Sequence, residues 1–208
     1  MIESVDQSVG SILGRLDDLG LRDDTIVLFF SDNGGYGPAT SMEPLRGAKG
    51  MLYEGGIRVP LIVRWPGKVE PGATCAAPVI GTDLFPTFLD ITGAPRPQGQ
   101  PLDGESLAPL LTGRGTLDRD ALFWHFPAYL EAYRGGVIPQ TQVIEFFEDG
   151  RLELYNLKED IGEANNLAET RPGKAKALHE RLKAWRRSVN APVPTEPNPF
   201  YQPRTDGG

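Results

Sequence analysis

The sequence predicts an α/β protein, and three observations lead to that prediction. A nearly unbroken apolar run, Ile26 to Phe30, is typical of a strand buried on both faces of a parallel sheet. Before it, apolar residues recur at the helical period from Ile2 to Leu19. After it, a second apolar strand is expected from Val59 to Trp65, followed by another helical pattern.

Composition limits the classes of partner. The chain has 208 residues and a formal net charge of −7, which argues against nucleic acid or an anionic membrane surface as a partner. No apolar run approaches the roughly 20 residues that span a bilayer. Glu3 and Asp6 stand where a signal peptide would be basic and then apolar, so no signal peptide is expected. The single Cys75 excludes an internal disulfide framework.

The first helix is expected to cover the sheet with its apolar stripe and to end at Gly20, a usual left-handed stop. A helix from about Thr82 to Ile91 is predicted further on, with Gly93 closing it. Thr82 or Asp83 would cap its first turn. We therefore interpret Asp83 as an N-cap and not as a metal ligand.

The carboxyl-terminal part is predicted to form a smaller subdomain. Regular patterns fade between Ala94 and Asp120, where Gly and Pro are dense, which predicts domains of 1–115 and 116–208. Asp149-Gly150 between two alternating runs predicts a tight hairpin. A last helix is expected to begin near Pro172 and to be followed by an extended Pro-rich tail, 191–203.

Asp32 and Asn33 follow directly after the first predicted strand and one serine. Ligands of open α/β sheets bind beyond the carboxyl ends of the strands, and a carboxylate beside an amide oxygen suits Ca²⁺ or Mg²⁺. The sequence Asp-Asn-Gly-Gly is also ordinary turn chemistry. The two interpretations stay open on this motif alone.

The segments that follow carry a family resemblance. The loop Arg46-Gly-Ala-Lys-Gly50 precedes Tyr53-Glu-Gly-Gly-Ile-Arg-Val-Pro60 and a strand ending Trp65-Pro-Gly67. In this order the motifs resemble the later half of the sulfatase catalytic domain, and 154–168 resembles the small carboxyl-terminal sulfatase subdomain. The resemblance implies part of an alkaline-phosphatase-like parallel-sheet sandwich. To this it adds a small α+β subdomain with an antiparallel hairpin and a terminal helix.

The resemblance also implies site residues. Asp32 and Asn33 would be two of the metal ligands, for Ca²⁺ or alternatively Mg²⁺. Lys49 would be the catalytic and substrate-binding cation that contacts the sulfate or the leaving oxygen, whereas outside the motif it would be an ordinary solvated loop lysine. In the full-length parent a formylglycine made from Cys or Ser would attack the sulfur.

Other residues near these motifs are expected to be structural. Glu54 and Arg58 are predicted to hold the loop through a charge-assisted bond. His125 lies among aromatic residues and is interpreted mainly as a packing residue, with lining of the substrate pocket as the alternative. His179 is expected to be solvated on the polar side of the last helix.

The modification motif of the family, Cys-or-Ser-x-Pro-x-Arg, is absent from this sequence. The nearest segments, beginning at Cys75 and Ser41, place Pro one position late. Ca²⁺ takes about six to eight oxygen ligands, and these motifs supply two. We therefore expect this chain alone to be inactive and to bind metal weakly. The segment between Leu130 and Val143 also departs from the family pattern, which leaves substrate choice open.

The function implied is hydrolysis of a sulfate ester by a longer parent, with this chain as a fragment or truncated gene product that supplies part of the site. One alternative is a phosphodiesterase or phosphonate hydrolase of the same superfamily. Another is a non-catalytic fragment or binding partner, although a partial sheet would expose an apolar strand edge. By resemblance the parent would be periplasmic or secreted, and the chain itself does not indicate a location.

Overall fold

The structure is a computed structural model that describes residues 2–127, 133–138 and 140–196, the segment 133–138 as backbone. The described chain forms two compact units. The first unit comprises Met1–Ser31 and Pro60–Asp118, and the second comprises Asp32–Val59 and Arg119–Gly208. Asp32–Val59, which carries the predicted site motifs, therefore groups with the carboxyl-terminal residues. The predicted domains of this chain, 1–115 and 116–208, stay a prediction.

The elements of the first unit are α1 (Ile2–Asp18), β1 (Val27–Phe30), β2 (Leu61–Arg64), α3 (Leu84–Thr92) and α4 (Ala108–Leu111). The helices and strands predicted from periodicity are present. Gly20 and Gly93 both adopt the left-handed conformation, with φ of 67° and 69°, at the ends of α1 and α3. Glycine at these two positions ends each helix because it adopts positive φ without a Cβ clash.

The strands of the first unit differ from expectation in pairing and burial. β1 and β2 are antiparallel, with Phe29 opposite Ile62, so the parallel pairing expected for this run is wrong for these two strands. Phe29 and Ile62 are 38% and 63% exposed. One face of this two-stranded sheet is therefore uncovered by the described residues, and the apolar run is not buried on both faces.

Helix α1 forms over the predicted residues, but its apolar stripe is covered only in part. No residue of α1 is buried, and Ile2 and Ile12 are 85% and 60% exposed, whereas Val9, Leu13 and Leu16 are half-buried. The prediction that this helix buries its stripe against the sheet is therefore wrong for the described residues. Periodicity predicts an amphipathic helix, but full burial requires another element packed along the whole stripe.

Asp83 is fully buried and does not cap α3 through its side chain. Its carboxylate accepts hydrogen bonds from the backbone N–H groups of Ile80 at 2.9 Å and Glu105 at 3.0 Å. A short 3-10 turn, Gly81–Asp83, precedes the helix and moves its start to Leu84. Asp83 therefore occupies the predicted N-cap position of α3, but its carboxylate joins two other backbone segments and does not cap the helix.

The second unit contains α2 (Glu54–Ile57) and a four-stranded antiparallel sheet in the order β3-β4-β5-β6, followed by α5. The strands are β3 (Leu122–Phe126), β4 (Tyr133–Ile138), β5 (Thr141–Phe146) and β6 (Leu152–Tyr155), and α5 is Pro172–Ser188. Strand β4 was not anticipated, because Gly135 and Gly136 weaken a strand pattern. Its backbone pairs with both β3 and β5.

The sheet of the second unit is covered on both faces. On one face Val143 and Leu154, which pair directly, pack with Ala175 and Leu178 of α5. The opposite face packs on the segment before and at the start of α2. That cluster consists of Leu52, Tyr53, Ile144, Phe146, Tyr155 and Leu157. The loop predicted to carry Lys49 therefore rests on the core of the carboxyl-terminal sheet.

The predicted hairpin joins β5 to β6 as expected, although its turn is longer than two residues. Phe146 N–H donates to Arg151 O at 2.9 Å, and Gly150 N–H donates to Phe146 O at 3.0 Å. Gly150 supplies the positive φ of 72° that this turn requires. Residues 147–150 form the connection.

His179 is not merely solvated. Its Nε2 lies 3.0 Å from Glu145 Oε1, and Arg186 Nη1 lies 2.9 Å from Glu145 Oε2. Glu145 projects from β5 towards α5 because the side chains of a strand alternate between faces. The expectation that His179 is only solvated is therefore wrong, because its ring lies against Glu145 beside Arg186.

Two further predictions fall partly outside the described residues. Residues 130–132 and 139 of the divergent segment are not described, nor is the tail beyond residue 196. Within the ranges that the structure does describe, no helix is long and apolar enough to cross a membrane.

Candidate functional site

Two backbone hydrogen bonds bring the Asp32-Asn33 turn and the Lys49 loop together within the second unit. Gly34 N–H donates to Gly56 O, and Lys49 N–H donates to Gly35 O, both at 2.9 Å. The two segments lie about 15 residues apart in sequence, so local chain geometry alone would not make them neighbours. Asp32 and Lys49 are exposed, whereas Asn33 is half-buried.

Glycine makes this approach feasible. A Cβ at Gly34 would lie 1.8 Å from Gly55 O, and a Cβ at Gly56 would lie 2.0 Å from Met51 O. Both obstacles are backbone atoms, so no side-chain rotation would relieve the clash. The glycines of this motif therefore allow one backbone segment to pack directly against another.

The two charged side chains of the site are available to a ligand. Among the residues that the structure describes, neither the Asp32 carboxylate nor the Lys49 ammonium has a hydrogen-bond or ion-pair partner. A carboxylate and an adjacent amide suit a hard cation, and an ammonium suits an anion. The two adjacent backbone segments thus carry one side chain suited to a cation and one suited to an anion.

Metal binding by these residues would be partial. The oxygen-donor chemistry of Asp32 and Asn33, with Asp32 exposed, fits a divalent cation. Within the described ranges no group of three or more His, Cys, Asp or Glu side chains could hold a metal ion. The fit is therefore that of two ligands of a larger set.

Glu54 and Arg58 form the predicted charge-assisted bond, from Arg58 Nε to Glu54 Oε2 across one turn at α2. Glu54 is buried, and the Arg58 side chain is 54% exposed. Their backbones also bond, Arg58 N–H to Glu54 O at 2.7 Å. The pair closes α2, which supports the structural role predicted for it.

His125 lies on β3, and its Nε2 donates to Pro192 O at 2.6 Å. Its ring meets Phe147 edge-on, with centroids 6.3 Å apart. None of the contacts described for His125 involves the Lys49 loop. These contacts favour the packing interpretation, and a substrate role for His125 stays a prediction.

A buried polar network beneath the Lys49 loop was missed by the sequence analysis. Tyr53 Oη and Tyr155 Oη each donate to Glu153 Oε2 at 2.7 Å. Arg46 Nη1 donates to Tyr155 Oη at 2.7 Å, and its guanidinium lies over the Tyr53 ring, 4.1 Å from the centroid. Glu163 completes the network through its carbonyl oxygen, which accepts from Arg46 Nη1 at 2.9 Å.

The electrostatics of this network favour a neutral phenol and a charged guanidinium. Burial, and then the bond to Glu153, raise the pKa values of Tyr53 and Tyr155 above their ordinary range. Burial opposes the charge on Arg46, but the two tyrosines and Glu153 outweigh it and raise its pKa. The only signal in sequence was the motif position of Arg46 and Tyr53, because their partners lie about 100 residues further on.

Two family models match the chain. The sulfatase model matches residues 1–94, and the model described as N-sulphoglucosamine sulphohydrolase, C-terminal, matches residues 48–188. The two matches overlap across the Lys49 loop and together extend to the end of α5.

Curated relatives are sulfatases. The chain is 37% identical to a sulfatase of Formosa agariphila over 92% of its own length and 40% of the relative's. It is 34% identical to human arylsulfatase A over 78% of its own length and 37% of that protein's. The chain thus spans about two fifths of the length of these relatives.

Solved structures share the fold. The structure of BT4656 in complex with its substrate D-glucosamine-2-N,6-O-disulfate has a TM-score of 0.79 and 30% identity, over 94% of this chain and 41% of that one. The phosphonate monoester hydrolase of Agrobacterium radiobacter has a TM-score of 0.69 and 26% identity, over 90% and 40%. The α/β, alkaline-phosphatase-like fold class is therefore confirmed. With the family models and relatives, these structures show that the chain belongs to the sulfatase family.

Proposed function

We propose that this chain supplies one side of the metal and sulfate site of a sulfuric ester hydrolase. The observation that carries the proposal is the pair of backbone bonds, Gly34 to Gly56 and Lys49 to Gly35, that joins the Asp32-Asn33 turn to the Lys49 loop. In a sulfatase-family chain, that junction supports a single site in which two cation ligands and an anion-binding ammonium would act together.

Each residue has a distinct task in this proposal. Asp32 and Asn33 provide oxygen ligands for a divalent cation, Ca²⁺ or alternatively Mg²⁺. When bound, the cation neutralises charge on the sulfate. Lys49 donates hydrogen bonds to a sulfate oxygen or to the leaving oxygen. A charge pair at about 4 Å is worth roughly 4 kcal/mol at an effective dielectric near 20, or about three decades in rate if realised only in the transition state.

Turnover requires a nucleophile that these 208 residues do not provide. The sequence holds no Cys-or-Ser-x-Pro-x-Arg element, and the family's formylglycine would supply the attacking oxygen in the parent. Loss of a transition-state donor costs a few kcal/mol, whereas loss of the nucleophile removes the covalent route. The chain alone is therefore proposed to be inactive.

The substrate is proposed to be a sulfate ester, and the family match suggests which to try first. The chain resembles BT4656, whose substrate is D-glucosamine-2-N,6-O-disulfate. A sulfated amino sugar is accordingly a suitable first probe beside a simple aryl sulfate. We also propose a periplasmic or secreted parent and, within this chain, domains of 1–115 and 116–208, which fractionation and limited proteolysis would test.

The experiment begins upstream of the Met1 codon. An open frame containing Cys-or-Ser-x-Pro-x-Arg supports the proposal, and a ribosome site directly before Met1 argues against it. The extended protein is then assayed on an aryl sulfate, the amino-sugar disulfate and a phosphate diester. Preferred turnover of a sulfate ester is the expected result.

The second candidate is hydrolysis of a phosphonate or phosphate diester, which the similarity to the Agrobacterium phosphonate monoester hydrolase favours. The same cation and ammonium would serve a phosphoryl oxygen equally well, because both groups are tetrahedral oxyanions. Faster turnover of the diester than of either sulfate ester would replace the first proposal with this one.

A further inference from the structure

One residue, Glu163, holds both ends of the loop that carries Lys49. Its carbonyl oxygen accepts a hydrogen bond from Arg46 Nη1, and its carboxyl Oε2 accepts one from Glu54 N–H, both at 2.9 Å. Arg46 lies three residues before Lys49, and Glu54 lies five residues after it. Both ends of the loop from 46 to 54 therefore contact one residue more than 100 positions away, in addition to the backbone bond from Gly55 N–H to Arg46 O at 2.7 Å.

The backbone at Glu163 is shaped for this double contact. Its φ is 52°, in the left-handed region that a residue other than glycine seldom adopts. The turn is held by Asp160, whose carboxylate accepts from the N–H groups of Ala164 at 3.0 Å and Asn165 at 2.8 Å. Because such a conformation persists only when its surroundings impose it, the Asp160 turn fixes the direction of the Glu163 carbonyl that Arg46 contacts.

The carboxyl of Glu163 is poorly placed to carry a charge. The residue has no exposed surface, and Oε1 has no hydrogen-bond partner among the described residues. The charged groups that face it are Glu54 of α2, which also pairs with Arg58, Glu153 of β6, and Arg46. Burial, with the two neighbouring carboxylates, raises the pKa of Glu163 from 4.5 to about 8, against the opposing influence of the Glu54 N–H and Arg46.

Ionisation would therefore disturb the loop. The charge of Glu163 would be added to those of the Glu54 and Glu153 carboxylates, in a buried site where Arg46 is the one facing cation among the described residues. The repulsion from the Glu54 carboxylate acts at one end of the loop, because Glu54 is also the residue whose N–H the Glu163 carboxyl holds. Relief of this repulsion therefore favours movement of Glu54, and with it of the end of the loop, away from Glu163.

We propose that Glu163 is a positioning residue that clamps the two ends of the Lys49 loop, and that the clamp is closed while its carboxyl is protonated and opens when it ionises. The two contacts of Glu163 do not depend on whether the chain takes part in catalysis. The consequence of the clamp for sulfate binding, the placement of the Lys49 ammonium, rests on the proposed function.

The test is amide hydrogen exchange of the 208-residue chain between pH 6 and 9, corrected for the intrinsic pH dependence of exchange. The reporting amides lie in the loop or directly after it and are hydrogen-bonded to backbone carbonyls, namely those of Lys49, Met51, Gly55 and Gly56. In the wild type, their protection is expected to fall by up to about tenfold per pH unit from pH 6 to about 8, and to level off above that value. Amides of α5 serve as the internal reference for global unfolding.

Two variants separate protonation from packing. Glu163→Gln keeps the acceptor and cannot ionise, so its loop is expected to stay protected with a flat profile to pH 9. Glu163→Ala removes the acceptor and is expected to lose about tenfold of loop protection at every pH. Glu169→Gln, at an exposed turn position with no described partner, is the matched control and should follow the wild-type profile.

Two outcomes would overturn the proposal: a wild-type profile as flat as that of Glu163→Gln, or full loop protection in Glu163→Ala. If Glu163→Ala fails to fold, as loss of α5 protection would show, the comparison of wild type with Glu163→Gln decides. No substrate is involved, so a negative result leaves the sulfate proposal intact, and a failure of sulfate turnover leaves the clamp intact.

Discussion

The substitution Gly56→Ala tests whether close backbone packing joins the two halves of the site. The new Cβ would lie 2.0 Å from Met51 O and 2.6 Å from Ala48 O. These are main-chain atoms, so the loop itself must shift. Gly56 donates to Tyr53 O at 2.8 Å and accepts from Gly34 N–H at 2.9 Å, and both bonds would be strained.

The expected cost follows from three contributions. Overpacking of a tight site costs about 1–3 kcal/mol, and two weakened backbone bonds add about 1 kcal/mol each. The gain from replacing glycine in a short helix is at most about 1 kcal/mol. The net expectation is a loss of about 2–4 kcal/mol in the free energy of unfolding of the unit that carries Gly56.

The assay is urea unfolding of the 208-residue chain, with Gly14→Ala as the control. Gly14 lies inside α1, and a Cβ there meets nothing within 4 Å. That substitution is expected to stabilise the helix by up to about 1 kcal/mol. A Gly56→Ala variant within 0.5 kcal/mol of the wild type, a bound taken from the usual scatter of surface substitutions, would refute the close-packing argument.

Three other outcomes are expected. Tyr155→Phe removes the hydroxyl shared by Arg46 and Glu153 and should lower the free energy of unfolding by about 2–3 kcal/mol. Tyr36, which is 64% exposed, provides the control, and Tyr36→Phe should change that free energy little. Equal effects of the two substitutions in urea unfolding would contradict the network. The pKa of Glu163 is raised from 4.5 to about 8, so its contribution to stability is present below pH 4.5 and is lost as the pH rises to about 8. The free energy of unfolding of the wild type should therefore fall relative to that of Glu163→Gln across this range. A constant difference between the two proteins would count against the raised pKa. Calorimetry of this chain with Ca²⁺ should show only weak binding, and a tight stoichiometric site would disprove the two-ligand account.

Local signals in the sequence located most elements. The helical period placed α1, and the positive φ of Gly20 and Gly93 agrees with their predicted roles as helix stops. The alternation around Asp149-Gly150 correctly predicted the hairpin. These features depend on residues close together in sequence, which is why periodicity and turn chemistry reveal them.

Features that depend on distant partners were missed or wrong. The partly exposed stripe of α1 and the antiparallel pairing of β1 depend on which element lies alongside, and periodicity carries no such information. The same holds for His179, whose partner is Glu145 on another element. Strand β4 was hidden because Gly135 and Gly136 take their conformation from neighbouring strands and not from propensity.

The sequence motifs named the candidate site residues, but they did not reveal the buried contacts beneath the Lys49 loop. The motifs indicated Asp32, Asn33 and Lys49, and the structure brings their two segments together. The network of Arg46, Tyr53, Tyr155, Glu153 and Glu163 could not be inferred, because its members lie up to 117 residues apart. Buried polar groups require partners, but the sequence does not show which partner each one finds.

The central claim is that Lys49 binds the transferred sulfate. The most direct test is kcat/KM for an aryl sulfate in the extended parent protein, compared between wild type, Lys49→Ala and the exposed control Lys158→Ala. The account predicts a loss of about two to three decades for Lys49→Ala and an unchanged value for Lys158→Ala. A Lys49→Ala value within about threefold of the wild type, less than 1 kcal/mol of transition-state stabilisation, would contradict it.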